Sequence, residues 1–239
     1  MSNAFIRHIY TLIFRVALLC MAIFLYATGY LYLTQFNFAR VSFSLSPIEI
    51  IFLIVVWVVL VVGMLGRLIP NKYVAMGARK HYGNNGEGRK LPIETRKLHK
   101  GAGYIAIAWV IFNGLLFFVL SQFRLLNIGI TIIIVLFYSI CDLVFILFFC
   151  PFQKFFMHNR CCVVCRIYNW DYFMMCTPLL PIFHVYSFSL VVLSIIVLIR
   201  WERAVYKNPH YFLPETNKHL NCATCKDRMC LVKKRGDRL

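Results

Sequence analysis

Charged residues are scarce in this 239-residue chain, and acidic residues are the scarcest of them. Only 15% of the residues are charged, with 9 Asp and Glu against 26 Lys and Arg. Since a soluble domain carries about 25% charged residues, this composition excludes an ordinary soluble enzyme and a disordered chain. So few acids, widely scattered, exclude an all-carboxylate metal site. The hydrolase motifs G-x-S-x-G and H-E-x-x-H are absent as well.

Apolar sequence is what the chain has in abundance: 61% of its residues are hydrophobic, and its mean hydropathy is +0.71. A helix needs about 20 apolar residues to cross the hydrocarbon core of a bilayer. Five runs have this length, so we predict an all-α, polytopic integral membrane helix bundle of about five transmembrane helices in a lipid bilayer. The predicted spans are residues 9–34, 48–69, 101–121, 126–149 and 176–199.

Two kinds of region are therefore predicted. Residues 1–157 and 176–199 form the helix bundle, and residues 158–175 plus 200–239 form a cysteine-rich module. The excess of basic residues lies mainly in polar stretches beside the apolar runs, which is the pattern that orients a membrane protein. It gives no reason to expect nucleic acid as a partner.

The basic residues and the number of membrane crossings predict different sides of the membrane for the C-terminal tail. The basic loop at residues 71–100 is predicted to be cytoplasmic by the positive-inside rule. Five full crossings then place residues 200–239 outside, although that tail is itself basic. Either a basic tail is exported, or the last run does not cross as one helix, because Pro178 and Pro181 interrupt it. Both solutions remain open from the sequence.

Two charges lie well inside predicted spans, several residues from either end. Arg15 lies in the first span and Asp142 in the fourth, and both are roughly 9–12 Å from the same membrane face at about 1.5 Å per residue. A lone charge at that depth costs about 2.5–3.5 kcal/mol on insertion scales. We therefore predict an intramembrane ion pair, which either fixes helix packing or lines a polar path. His99 and His184 do not match in depth, so the sequence does not favour haem.

Cysteines carry the strongest local signal. Two C-x-x-C knuckles lie in the last third of the chain, and each knuckle lets two thiolates turn onto one metal ion. Basic neighbours such as Arg160, Arg166, Lys226 and Arg228 favour the thiolate form. The predicted ligands are Cys162, Cys165, Cys222 and Cys225, with Cys161 and Cys230 as further candidates.

A shared site requires both knuckles on one face of the membrane, so the disputed side of the tail matters for function. Four sulfurs suit structural zinc or an iron–sulfur cluster. If the tail is outside, disulfides in an oxidising compartment become the better interpretation.

The stretch HNRCCVVCRIYNWD, together with NPH at residues 208–210, ETN at 215–217 and the closing C-x-x-C-x4-C, resembles an uncharacterised family of bacterial polytopic membrane proteins. The resemblance covers roughly residues 145–230 and implies a multi-pass protein of the bacterial cytoplasmic (inner) membrane. It implies no activity.

Three functions follow as expectations. The first is a redox or electron-transfer component that holds an iron–sulfur or other thiolate-ligated metal centre, with a quinone or another membrane protein as partner. The second is a transporter or scaffold with a structural zinc site. The third is a membrane thiol-disulfide oxidoreductase, which needs a C-x-x-C pair and no metal. Whether the protein is an enzyme stays open.

Overall fold

The computed structural model describes residues 3–29, 47–68, 101–157, 165–182, 184–212 and 217. The elements of these residues are all helical, and five of them are long and apolar enough to cross a membrane. The all-helical membrane architecture expected from composition is thereby confirmed. The long helices are α1 (Asn3–Ala27), α2 (Pro47–Leu68), α3 (Ala102–Gln122), α4 (Ile128–Leu147) and α6 (Val185–Lys207).

Shorter helical pieces fill the connections. A π-helical turn covers Phe152–Met157 after α4. The short helix α5 covers Asp171–Cys176, with 3-10 turns at Arg166–Asn169 before it and Thr177–Leu179 after it. Another 3-10 turn, Pro209–Phe212, follows α6. We call residues 165–182 the broken segment, since its helical pieces do not form one continuous helix.

The last long helix begins at Val185 and not near residue 176 as the hydropathy run predicted. Pro178 and Pro181 lack the backbone N–H that a continuous helix needs, so the chain turns at residues 180–181 and restarts. His184 caps the new helix, because its Nδ1 accepts the backbone N–H of Tyr186 at 3.2 Å. His184 is therefore the N-cap of α6.

Contacts between the helices establish their directions. Tyr26 and Asn127 meet at 3.4 Å, and Arg15 reaches the carbonyl of Ser139, so α1 and α4 are antiparallel. Trp57 of α2 donates to the hydroxyl of Ser189 in α6 at 2.9 Å. The C-terminal ends of α2 and α6 lie on the same side of the bundle. Arg67 of α2 contacts Asp171, and Glu202 of α6 contacts Arg166, in the first half of the broken segment.

The broken segment traverses the bundle. Arg166 at its start forms an ion pair with Glu202 near the end of α6, whereas His184, just after it, lies at the beginning of α6. The segment therefore runs back along about 26 Å of α6 at a rise of about 1.5 Å per residue. Halfway, Thr177 contacts Asn113 in the middle of α3. Among the described residues, this segment is a sixth, interrupted traverse of the bundle, which hydropathy did not identify.

This traverse changes the parity argument. The end of α6 lies on the same side of the bundle as Cys165, the end of α2 and the beginning of α3; we call this side the Cys165 end. The basic loop at 71–100 and the basic tail both leave the helices from this side. With six traverses in place of five, the number of crossings and the basic residues predict the same side for the loop and the tail. Five crossings had predicted opposite sides, because the broken segment has no long apolar run of its own.

Candidate functional site

Cys165 is the one predicted metal ligand within the described residues. It is buried and packs in an apolar cluster with Ile105, Ile146 and Ile167. The other five predicted ligands lie outside the described residues: Cys161, Cys162, Cys222, Cys225 and Cys230. Within the described ranges no group of three or more His, Cys, Asp or Glu side chains is placed to hold a metal ion. The metal site therefore stays a prediction.

A three-residue clamp joins the Cys165 end of the broken segment to α6. Arg166 forms an ion pair with Glu202, and its Nε donates to Oε1 of the same carboxylate at 3.2 Å. The indole N–H of Trp170 donates to that oxygen as well, at 2.6 Å. The guanidinium also lies 5.9 Å from the centre of the Trp170 ring. Glu202 thus holds Cys165 close to where the tail leaves α6.

The first part of the tail folds back on the same end of the bundle. Trp201 of α6 is fully buried, and its ring meets Phe212 edge-on with centroids 6.0 Å apart. Asn217 is also fully buried. Phe212 and Asn217 are therefore anchored against the bundle after α6 has ended at Lys207.

Arg15 faces α4 as predicted, but its described hydrogen bond is to backbone. It is buried, and its Nη1 donates to the carbonyl of Ser139 at 2.8 Å, one turn before Asp142. The described contacts contain no direct ion pair between Arg15 and Asp142, although the two charges attract each other at longer range. The ion pair of Arg15 and Asp142 therefore stays a prediction.

A second buried pair, which the sequence did not reveal, joins α2 to the broken segment. Arg67 pairs with Asp171, and their side chains are 7% and 4% exposed. The other oxygen of Asp171 accepts the backbone N–H of Tyr172 at 2.8 Å. Arg67 lies inside the predicted second span, so the sequence shows that a charge is placed there. Asp171 lay in a predicted loop, so no depth could be assigned to it.

Tyrosine rings enclose the Arg67 guanidinium. Its carbon lies 4.2 Å from the centre of the Tyr168 ring and 5.9 Å from that of Tyr172. Tyr172 in turn packs on Gly63, where a Cβ would stand 2.9 Å from the ring carbon Cζ. A glycine at this position of α2 allows the ring to approach the helix backbone. The pair is thus shielded from water by tight packing.

A pocket of about 240 Å³ lies between α3, α4 and the broken segment. Its wall is mostly aromatic and aliphatic, with Asp142 and Asp171 as its two acids and Cys141, Cys150 and Cys165 as its thiols. An apolar pocket with a few convergent polar groups is the usual form of a small-molecule site. Non-helical backbone at membrane depth is tolerated where it lines such a cavity.

A polar network holds the broken segment beside this pocket. Tyr138 donates to the side-chain oxygen of buried Asn113 at 3.2 Å, and Thr177 lies 3.4 Å from the same oxygen. Trp109 donates to the hydroxyl of Thr177 at 3.2 Å. These bonds tie α3, α4 and the 3-10 turn of the broken segment together, and so they fix the shape of the pocket.

Comparison with protein families, with curated proteins and with solved structures finds no match to this chain. The resemblance on the cysteine stretch therefore stays an expectation, and functional inference depends on the geometry described above.

Proposed function

We propose that this protein is a redox or electron-transfer component of the bacterial cytoplasmic membrane that binds a thiolate-ligated metal centre, an iron–sulfur cluster first, at the Cys165 end of its helix bundle. Cys162, Cys165, Cys222 and Cys225 are the proposed ligands, with Cys161 and Cys230 as replacements. Two C-x-x-C knuckles supply the four thiolates that such a centre needs.

The clamp formed by Arg166, Trp170 and Glu202 is the observation that supports this proposal. It holds Cys165 beside the end of α6, the helix from which the chain continues toward the second knuckle. A site shared by both knuckles needs them on one membrane face, and the sixth traverse removes the objection that five crossings would separate them. Trp201 packed on Phe212 holds the first residues after α6 at that end.

Charge supports a cytoplasmic location for this end. The loop at 71–100 and the tail at 200–239 are both rich in Lys and Arg, and both follow helices that finish at the Cys165 end. Basic loops are retained in the cytoplasm. There thiols stay reduced, so cysteines in that compartment favour metal binding over structural disulfides.

A structural zinc site in a transporter or scaffold is the second candidate. The observation that favours it is the broken segment, since interrupted helices line the substrate sites of many transporters. In that case zinc would only join the tail to the bundle. A thiol-disulfide oxidoreductase is the third candidate and requires a titratable C-x-x-C pair without metal.

The deciding experiment is elemental analysis of iron and zinc per chain on protein purified without oxygen, with visible and electron paramagnetic resonance spectra. We expect iron, sulfide and a reducible signal, all lost in Cys162→Ser and Cys225→Ser. Cys20→Ser is the matched control, because Cys20 is exposed on α1 and forms no disulfide.

About one zinc per chain would refute the redox proposal and favour the transporter or scaffold with a structural zinc site. Absence of both metals would refute both and leave thiol chemistry. Metal that survives both knuckle substitutions would show that these cysteines are not its ligands.

A further inference from the structure

We propose that the pocket between α3, α4 and the broken segment binds a neutral ring compound with carbonyl or hydroxyl oxygens, of the quinone class. The inference deepens the proposed function and depends on it for the choice of a redox-active ligand. It concerns binding alone.

The pocket has the size and lining for a flat ring. Its volume of about 240 Å³ is below the roughly 300–1,000 Å³ of pockets for drug-sized ligands, so it suits one or two rings. Trp109, Tyr138, Phe145 and Tyr168 line it, and Met174 and Met175 provide adaptable sulfur contacts. Aromatic and thioether groups pack well on the faces and edges of a planar ring.

The pocket opens toward the lipid. Phe112 and Phe137 both line it, yet they are 52% and 53% exposed on the outside of the bundle. Both residues lie in helices that are long and apolar enough to span a membrane. A ligand that dissolves in the bilayer therefore has direct access from the hydrocarbon region.

The charges favour a neutral ligand with polar oxygens. Asp142 and Asp171 line the pocket, while Arg15 and Arg67 balance their charge from behind, so neither a cation nor an anion is strongly attracted. Within the described part of the chain Asp142 has no hydrogen bond or salt bridge, and its side chain is only partly buried. A carboxyl group donates to a carbonyl when protonated and accepts from a hydroxyl when ionised. It can therefore bind either redox form of a quinone.

The position of the pocket matches the proposed redox role. Cys165, a proposed metal ligand, lines the same pocket. A ring bound there would lie beside Cys165.

Thiol footprinting tests the pocket without reference to metal. Cys141 lines the pocket, whereas Cys20 is exposed on α1, and neither is in a disulfide. Purified full-length protein is alkylated with N-ethylmaleimide, and mass spectrometry measures the rate at each cysteine. The probe is tetramethyl-1,4-benzoquinone, whose fully substituted ring cannot add thiols. Tetramethylbenzene is the matched hydrocarbon without carbonyls.

We expect the quinone to slow alkylation of Cys141 severalfold and to leave Cys20 unchanged. Its affinity should exceed that of tetramethylbenzene by about tenfold, which corresponds to about 1.4 kcal/mol. Asp142→Leu, which has a similar volume and no hydrogen-bonding atom in its side chain, should remove most of that difference while protection by the hydrocarbon persists, which shows that the pocket is intact.

Equal protection by both probes would refute the proposal and show an apolar cavity filled by lipid chains. No protection at Cys141 by either probe would refute it as well. Since metal content is measured separately, the pocket and the metal centre can each fail while the other stands.

Discussion

Breaking the buried pair of Arg67 and Asp171 should be among the most damaging changes to the bundle. We consider Arg67→Met and Asp171→Asn, which remove one charge each at similar volume, and the double variant with both. The pair joins α2 to the broken segment, and its side chains are 7% and 4% exposed. Each single substitution leaves the opposite charge buried without its partner.

The magnitude follows from what remains around the surviving charge. Removal of one partner of a buried pair costs about 3–5 kcal/mol. After Asp171→Asn the Arg67 guanidinium keeps the face of Tyr168 at 4.2 Å, and a desolvated cation–π contact offsets up to about 2 kcal/mol. We therefore expect a loss of about 2–3 kcal/mol for Asp171→Asn and about 3–4 kcal/mol for Arg67→Met. The double variant should lose less than the larger single loss.

The assay is SDS unfolding in mixed micelles, followed by circular dichroism and analysed as a double-mutant cycle. We expect a coupling energy of at least about 2 kcal/mol for this pair. The matched control is Arg166 with Glu202, whose side chains are 14% and 30% exposed; its cycle should give about 1 kcal/mol or less. Additive losses at Arg67 and Asp171, or a loss below about 0.5 kcal/mol for Asp171→Asn, would refute the burial argument.

Three further predictions concern packing and topology. Gly63→Ala should destabilise the protein by about 1–3 kcal/mol, because the new Cβ meets the buried Tyr172 ring. The control is Gly114→Ala, since Gly114 faces open space in α3. It should be neutral or stabilising in the same unfolding assay. Asn113→Ala should cost about 1–3 kcal/mol and expose the broken segment to hydrogen exchange, since it leaves the buried Tyr138 hydroxyl without its acceptor and removes the contact with Thr177. Cysteines introduced into the tail at 231–239 and the loop at 71–100 should react with a membrane-impermeant maleimide from the same side of inverted vesicles, and reaction from opposite sides would contradict the sixth traverse.

The membrane-spanning character of the protein was predictable because it depends only on local composition. Backbone hydrogen bonds must be satisfied inside a bilayer, so any apolar run of about 20 residues becomes a helix wherever its neighbours are. Three of the five long helices, α2, α3 and α4, accordingly begin and end within two residues of the predicted positions, whereas α1 begins at Asn3 and not at residue 9. The fifth differs because Pro178 and Pro181 divide a run that hydropathy counts as one.

The buried charges show the limit of depth arguments. Arg15 and Asp142 were both placed in spans, and a pairing was inferred from their equal depth. In the structure Arg15 bonds to the carbonyl of Ser139, whereas the buried ion pair joins Arg67 to Asp171. Asp171 could not enter such an argument, because a segment of short helical pieces has no hydropathy signature that assigns it a depth.

The sequence by itself therefore determined the membrane environment of this protein, the number of its long helices and the spacing of its cysteine knuckles. Each of these is a property of residues that are neighbours in the chain. Only the tertiary structure decided which end of α6 Cys165 lies beside, because that depends on the contact between Arg166 and Glu202. The pocket likewise combines residues from α3, α4 and the broken segment. Its two acids come together only when the chain crosses the bundle a sixth time.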